Sequence, residues 1–387
     1  ATNPFNSINP VLFDSVAFAF NSVEEGAEAF AKYGSRYAYC RMGNPSIQPF
    51  EEWLAEFSGV PIGSVWSTNT GMSAIALVII GSTLKDVGRG KTVIASPYMY
   101  GGTYHLLELL SRNEYIDVRW VPNPLELSSW EETFLHAPQA ACVLLETPAN
   151  PTIDIFDIKT IASLAHKYGS CLVVDDTLAV GLQRPFALGA DCLVYSVTKA
   201  MNRKSTQLGG AVVVSPAFKK EMEKVFDDLF VHLGIIMHPR SANAVYENRI
   251  TLERDMLLFS ENALTVATHL EGHPRVKNVN YPFLRSSLHY ELARRQMLGG
   301  GGLLSFEMES FSAATRFVEL QSEAFLAVHL GDGNNHLVTH PASTTHSKLS
   351  VDELAKLNIT PELIRMSVSL GEVAKLTDEF DRVLAIL

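Results

Sequence analysis

Cysteine is scarce in this chain, and its four copies, Cys40, Cys142, Cys171 and Cys192, stand far apart. Three of them fall inside apolar, strand-like runs. Such positions fit neither a disulfide framework nor a zinc ligand set, so reduced thiols of a cytoplasmic protein are expected. The 12 histidines form no His-Glu-x-x-His or Cys/His pattern, and no metal is expected. Basic charge is also short: Lys and Arg number 31 against 42 Asp and Glu, a net charge of −11 without an extended basic patch. Nucleic acid and anionic membranes are therefore not expected as partners. No apolar run approaches the roughly 20 residues of a membrane span. Ala1–Phe20 lacks the basic-then-apolar order of a secretory signal. Low-complexity tracts are missing too. A hydrophobic share of 47% against 19% charged describes a chain able to bury a large core, and 387 residues suggest two domains.

Residues 1–45 carry little periodic pattern and are rich in Asn, Phe and Ser, as an arm that packs on a neighbouring subunit would be. From 46 to 240 apolar runs alternate with helical patterns, which predicts an α/β domain with a mostly parallel sheet. Its strands are expected at Thr92–Ser96, Ala141–Glu146, Cys171–Asp175, Cys192–Ser196 and Ala211–Val214. Ile158, Ile161, Ala162 and Ala165 recur at helical spacing between Asp157, a good N-cap, and Gly169, a good stop. Residues 241–387 read as an α+β domain with a strand at Gly302–Met308. The glycine tract 299–302 lacks the Lys-Ser/Thr of a phosphate loop and reads as a flexible turn.

Two strands end in chemistry. Cys171-Leu-Val-Val-Asp175 closes on a carboxylate, and Cys192-Leu-Val-Tyr-Ser196 is followed at once by Lys199. In an open α/β sheet such exits line the ligand crevice. A lysine there can form a Schiff base, and a facing acid can keep a pyridinium nitrogen protonated, the arrangement pyridoxal phosphate (PLP) requires. Taken alone, Asp175 reads as a turn cap and Lys199 as a surface charge, and the surrounding motifs have to overturn that. Thr70-Gly71-Met72-Ser73 opens an apolar helical run, Ala74–Ile80, whose N-terminus would suit a phosphate.

In order, these pieces resemble one family over nearly the whole chain: the PLP-dependent enzymes of cysteine and methionine metabolism, which include cystathionine γ-synthase, homoserine-ester sulfhydrylases and the cystathionine and methionine γ-lyases. The matching segments are Tyr39-Cys-Arg-Met-Gly-Asn-Pro-Ser46, Thr70-Gly-Met-Ser-Ala-Ile75, Tyr100-Gly-Gly-Thr-Tyr104 and Glu146-Thr-Pro-Ala-Asn-Pro-Thr152. They continue with Val174-Asp-Asp-Thr177, Ser196-Val-Thr-Lys199, His340-Pro-Ala-Ser-Thr-Thr-His346 and Ile364-Arg-Met-Ser-Val368. The resemblance implies a fold-type I, aspartate-aminotransferase-like enzyme with PLP on Lys199, which also moves protons. Asp175 would pair with the pyridine nitrogen and Tyr100 would stack on the ring. Gly71, Met72, Ser196 and Thr198 would hold the phosphate, joined by Tyr39 and Arg41 from a neighbouring subunit. A homodimer is then the least assembly and a homotetramer the expected one. Arg365 would clamp the substrate α-carboxylate, since the planar fork suits it. Asn150 and Ser343 would serve the cofactor hydroxyl and the lysine or carboxylate. The implied reaction is γ-elimination or γ-replacement on a four-carbon L-amino acid through a vinylglycine ketimine. A β-lyase, an aminotransferase or a non-catalytic PLP-binding member are the alternatives.

The chain departs from the pattern in places. Asp176 stands where the family has asparagine, either facing the ring or capping a turn. Met201–Thr206 replaces Gly-His-Ser-Asp and adds cationic charge near the entrance, and His329–His336 differs from the usual run. Ser367-Val-Ser-Leu-Gly-Glu372 stands for Ser-Val-Gly-Leu-Glu, and Gly102 occupies the place of a cysteine in methionine γ-lyases.

Overall fold

Short apolar runs closed by polar residues form the larger of two sheets in the computed structural model, which describes residues 11–31 and 36–387. The rest of the expected N-terminal arm, with the first half of the segment read for a secretory signal, lies outside those residues. The seven strands are β1 (Val65–Thr68), β2 (Thr92–Ala95), β3 (Asp117–Trp120), β4 (Cys142–Glu146), β5 (Leu172–Asp175), β6 (Cys192–Tyr195) and β7 (Gly210–Val214). They lie in the order β1-β7-β6-β5-β4-β2-β3, parallel except for the pairs made by β7. Alternate residues feed two cores. Ile94, Val143, Leu145, Leu172 and Val174 face one helical layer, and Val93, Ala95, Cys142, Leu144 and Val173 face the other. Burial on both faces explains why these runs carry no polar alternation. The expected strands are recovered to within a residue, as is the helix Ile158–Lys167, where Asp157 Oδ1 accepts from the Thr160 N–H at 3.0 Å.

The second sheet, β8 (Val276–Asn280), β9 (Leu303–Met308), β10 (Ala324–Leu326), β11 (His336–Thr339) and β12 (Leu363–Ser367), runs in the order β10-β11-β12-β9-β8. The helices Leu252–Glu271 and Val373–Ile386 cover one face through Val266, Leu270, Leu376 and Phe380. Ile364 and Met366 of β12 point into that core, so Arg365 between them projects from the opposite face.

One expectation is corrected here. The tract 299–302 is no flexible turn. Its first three glycines are buried, and a Cβ at Gly300 would lie 2.5 Å from the Tyr281 ring. Tyr281 donates its hydroxyl proton towards the Ser260 and Gly301 carbonyls, and the Gly301 N–H donates to Ser260 Oγ at 3.0 Å. The glycines are there because backbone and ring touch. Of the two cations in 201–206, Arg203 is paired, donating to Asp255 at 2.6 Å and Thr251 at 2.9 Å, while Lys204 is exposed. All four cysteines are free, and three are buried. Among the described residues no helix is long and apolar enough to cross a membrane, and no group of His, Cys, Asp and Glu could hold a metal.

Asp176 is 1% exposed and points away from its neighbour Asp175. Gln183 Nε2 donates to it at 2.7 Å and the Tyr195 hydroxyl at 3.0 Å. Burial nevertheless pushes its carboxyl up to about 7. Between about pH 4 and pH 7 the folded chain thus holds a proton that the unfolded chain has released, so stability falls as pH rises. Asp176→Asn removes this loss. Its advantage over the parent in unfolding free energy should widen by about 2–4 kcal/mol between about pH 4 and pH 8 in denaturant titrations. A difference that stays flat with pH would show Asp176 ionised throughout.

Candidate active site

The carboxyl ends of the parallel strands lie side by side, with Glu146 of β4 opposite Asp175 of β5 and the β6 exit next to them. They open on a cavity of about 490 Å³. Nine of the twelve residues expected at a site line it: Gly71, Met72, Tyr100, Asn150, Asp175, Ser196, Thr198, Lys199 and Arg365. Arg365 comes from the second sheet and the others from the first, so the two sheets build the site jointly.

Asp175 is held by a short relay. The Ser196 N–H donates to Thr177 Oγ1 (2.7 Å), and the Thr177 hydroxyl and N–H donate to Asp175 Oδ1 (2.5 and 3.1 Å). Its Oδ2 has no hydrogen-bond partner among the described residues. Burial raises the carboxyl to about 6 against the pull of Thr177. A cationic N–H placed against Oδ2 would reverse that rise and keep the group ionised. Lys199 is lowered to about 8, first by burial and then by the charge of Arg365. That leaves a usable fraction of free amine near neutrality.

The helix Gly71–Thr83 starts at the cavity wall, with Thr70 Oγ1 capping the Ser73 N–H at 3.0 Å. Its first-turn N–H groups, those of Gly71 and Met72, have no helical acceptor. A Cβ at Gly71 would sit 2.7 Å from Ser196 Cβ, so only glycine lets the helix end approach the β6 exit this closely. The Ser196 hydroxyl has no partner among the described residues. Thr198 is already engaged, since its hydroxyl both donates to and accepts from the Gly209 backbone at 3.1 and 3.0 Å. The open carboxylate oxygen, the lysine of lowered basicity and this helix end with a free hydroxyl suit PLP.

Arg365 is 2% exposed. Nη1 donates to Asn150 Oδ1 (3.2 Å), and Nη2 donates to the carbonyls of Val328 (2.9 Å) and His329 (3.2 Å). Its Nε is buried without a partner among the described residues. An orphaned buried guanidinium donor is costly and leaves room for an anion.

Three expected residues lie elsewhere. Ser343 is exposed and bonded to His340 Nδ1 at 2.9 Å; Thr344 and Thr345 take the cavity wall instead. Tyr39 and Arg41 are exposed and stay off the cavity of their own chain. There Arg41 donates to the Val231 carbonyl at 2.8 Å and its guanidinium lies 5.4 Å from the Tyr39 ring centre. Asp176, on the far side of the sheet, neither faces the cavity nor caps a turn.

Sequence reasoning missed Glu146 and His329. Glu146 lines the cavity and accepts from the N–H groups of Tyr100 and Asn150, both at 2.8 Å, which fixes the two segments that flank it. Burial and the adjacent Asp175 raise its carboxyl well above the usual range, while Arg365 pulls the other way. The signal was present: Glu146 ends an apolar run just as Asp175 does. His329 opens a segment marked as a departure from the family run, but nothing local singled out the histidine itself.

Comparison with known proteins agrees with this geometry. The family model described as "Cys/Met metabolism PLP-dependent enzyme" matches residues 1–385. An L-methionine gamma-lyase of Porphyromonas gingivalis is 34% identical over 377 residues, covering 96% of this chain and 91% of that protein. An O-succinylhomoserine sulfhydrylase of Mycobacterium tuberculosis is 30% identical, covering 98% and 92%. A putative O-acetylhomoserine (thiol)-lyase of Campylobacter jejuni superposes with a TM-score of 0.92 at 27% identity, over 100% of this chain and 97% of that one. That structure carries N'-pyridoxyl-lysine-5'-monophosphate. With a match over almost its full length and a cavity whose residues suit the cofactor, the chain belongs to the PLP-dependent enzymes of cysteine and methionine metabolism.

Proposed function

We propose that the chain works at Cγ of a four-carbon L-amino acid bearing a leaving group there, such as a homoserine derivative or cystathionine, by γ-elimination or γ-replacement. The observation that carries this reading is one cavity holding both Lys199, an amine of lowered basicity, and Arg365, a buried guanidinium with an unused donor. When bound, PLP supplies an electron sink conjugated with the substrate Cα, so that the protons on Cα and then Cβ become removable. Asp175 would hold the pyridine nitrogen through Oδ2, with Gly71, Met72 and Ser196 on the phosphate. Arg365 would bind the α-carboxylate, and Lys199 would take the proton from Cα, pass it on to the bound cofactor and, as free amine again, take one from Cβ, whose electron pair would expel the group at Cγ. Tyr100, with its backbone N–H pinned by Glu146, would cover the ring and receive the amine proton. A thiol adding at Cγ gives replacement; without one, protonation at Cγ and hydrolysis of the imine carbon at Cα by water would give 2-oxobutanoate and ammonia. Gly102 favours replacement over a methionine γ-lyase. A Cβ there would strike the Tyr100 ring, so the cysteine that the resemblance expects of such lyases would displace it. Free thiols fit a cytoplasmic site of action.

A panel of Cγ-substituted amino acids, each with and without sulfide, cysteine or a thiol, should give products by mass spectrometry that keep the amino group. 2-Oxobutanoate alone would mean elimination, and pyruvate from cystathionine would place the chemistry at Cβ and reject the reading. The purified protein should absorb on the order of 420 nm, as lysine-bound PLP does, and Lys199→Ala should not.

Arg365→Lys keeps the charge but loses the two-pronged geometry. kcat/KM should fall roughly 10²-fold with the visible spectrum nearly unchanged, and thermal stability should drop only modestly as bonds to Asn150, Val328 and His329 are lost. Loss of folding, or an unchanged kcat/KM, would make Arg365 structural.

Exposed Tyr39 and Arg41 suit a site completed by a second copy of the chain. Arg41→Ala should weaken PLP binding by roughly 1.5–3 kcal/mol. Mixing Arg41→Ala with Lys199→Ala subunits should recover activity; verified mixed dimers without it would place Arg41 in its own subunit's service.

A further inference from the structure

One imidazole faces the lysine at the centre of the proposed site. His329 Nδ1 lies 3.5 Å from Lys199 Nζ, at the outer limit of hydrogen-bond reach, and catalytic contacts of this kind often tighten only when substrate is bound. The segment that carries His329 is fastened at several points. The Val328 and His329 carbonyls accept from Arg365, and the Gly331 N–H donates to Ser367 Oγ at 2.9 Å. Gly331 has φ +74°, and a Cβ there would lie 2.7 Å from the Ala200 nitrogen, so this backbone lies directly on the lysine's own turn. Asp332 accepts from the Asn334 and Asn335 N–H groups (2.7 and 2.9 Å) and from the Ser205 hydroxyl. The Gly333 N–H donates to the Arg203 carbonyl at 2.7 Å. Segments 201–206 and 329–336, both departures from the family pattern, therefore hold each other and present one side chain to Lys199.

From this geometry we infer that His329 is a positioning residue for Lys199: its Nδ1 accepts a hydrogen bond from the free amine and aims Nζ at the substrate carbons. The inference rests on Lys199 being the proton-moving amine of the proposed reaction. For Nδ1 to accept, the ring proton must sit on Nε2, which is buried without a partner among the described residues. An unsatisfied buried nitrogen in a native core calls for a reason, and the opposite nitrogen's bond to Lys199 supplies one. Burial, with the charges of Lys199 and Arg365, holds the imidazole down at about 4 against the pull of Asp332. It therefore stays neutral and orients the amine without competing for the proton. The other charged or titratable groups that share the cavity with Lys199 are Arg365, Asp175, Glu146 and Tyr100.

An acceptor beside Nζ stabilises the ammonium form, so removing it lowers the lysine's titration midpoint. The test is the pH dependence of Lys199 acetylation by acetic anhydride in the full-length, cofactor-free chain, read by peptide mass spectrometry. His329→Leu, similar in volume but without an acceptor, should lower the midpoint by about one unit. His329→Asn, whose Oδ1 stands where Nδ1 does, should restore the wild-type midpoint. Circular dichroism checks folding; if the leucine variant does not fold, His329→Phe reads the same quantity. A leucine or phenylalanine variant titrating with the wild type overturns the inference, as does an asparagine variant that shifts as far as leucine. The readout needs no turnover, so a chain inactive on every amino acid of the panel would reject the functional reading and leave this result legible.

Discussion

Ionised groups in a low-dielectric interior must find partners of opposite sign, and the active-site region is arranged around that requirement. Two acids, Glu146 and Asp175, and two bases, Lys199 and Arg365, line one cavity. Each is displaced from its ordinary protonation equilibrium chiefly by burial. Glu146 is satisfied by two backbone N–H groups, whereas Arg365 meets an amide oxygen and two carbonyls but keeps its Nε unpaired among the described residues. Asp175 keeps one oxygen open. The set is complete as scaffold and incomplete as an electrostatic system, which is the condition of a site awaiting a charged ligand.

Much of this was legible in the sequence because the parallel strands bury both faces. Ala141–Glu146 and Cys171–Asp175 had to be apolar until their ends, so a carboxylate at the end stood out. β1 and β3 were not legible. Val65-Trp-Ser-Thr68 buries two hydroxyl residues, which hides it among loops, and β3 is an edge strand whose Asp117 and Arg119 form an ion pair at 2.9 Å. Arg365 was legible for the opposite reason, as a charge amid the apolar residues of β12.

What local pattern could not show was orientation and long-range pairing. Asp175 and Asp176 are adjacent in sequence but emerge on opposite sides of the strand end, so one reaches the cavity and the other the Tyr195–Gln183 pocket. Ser343 and Thr344 differ by one position, and the tight turn after His340 decides which faces inward. The segments at 201–206 and 329–336 read as two unrelated anomalies. In the fold they are one joint, closed by Ser205–Asp332 and Arg203–Gly333 contacts that no window of sequence contains.

The hydrogen bonds of Arg365 set a condition on any carboxylate that arrives. A guanidinium grips two oxygens either through Nε and Nη2 or through Nη1 and Nη2, and both forks require a hydrogen on Nη2. That nitrogen already serves the carbonyls of Val328 and His329. Ligand and loop thus compete for one donor. A carboxylate held there and the seating of the Val328–His329 backbone would be thermodynamically coupled, each altering the affinity of the other by the same factor.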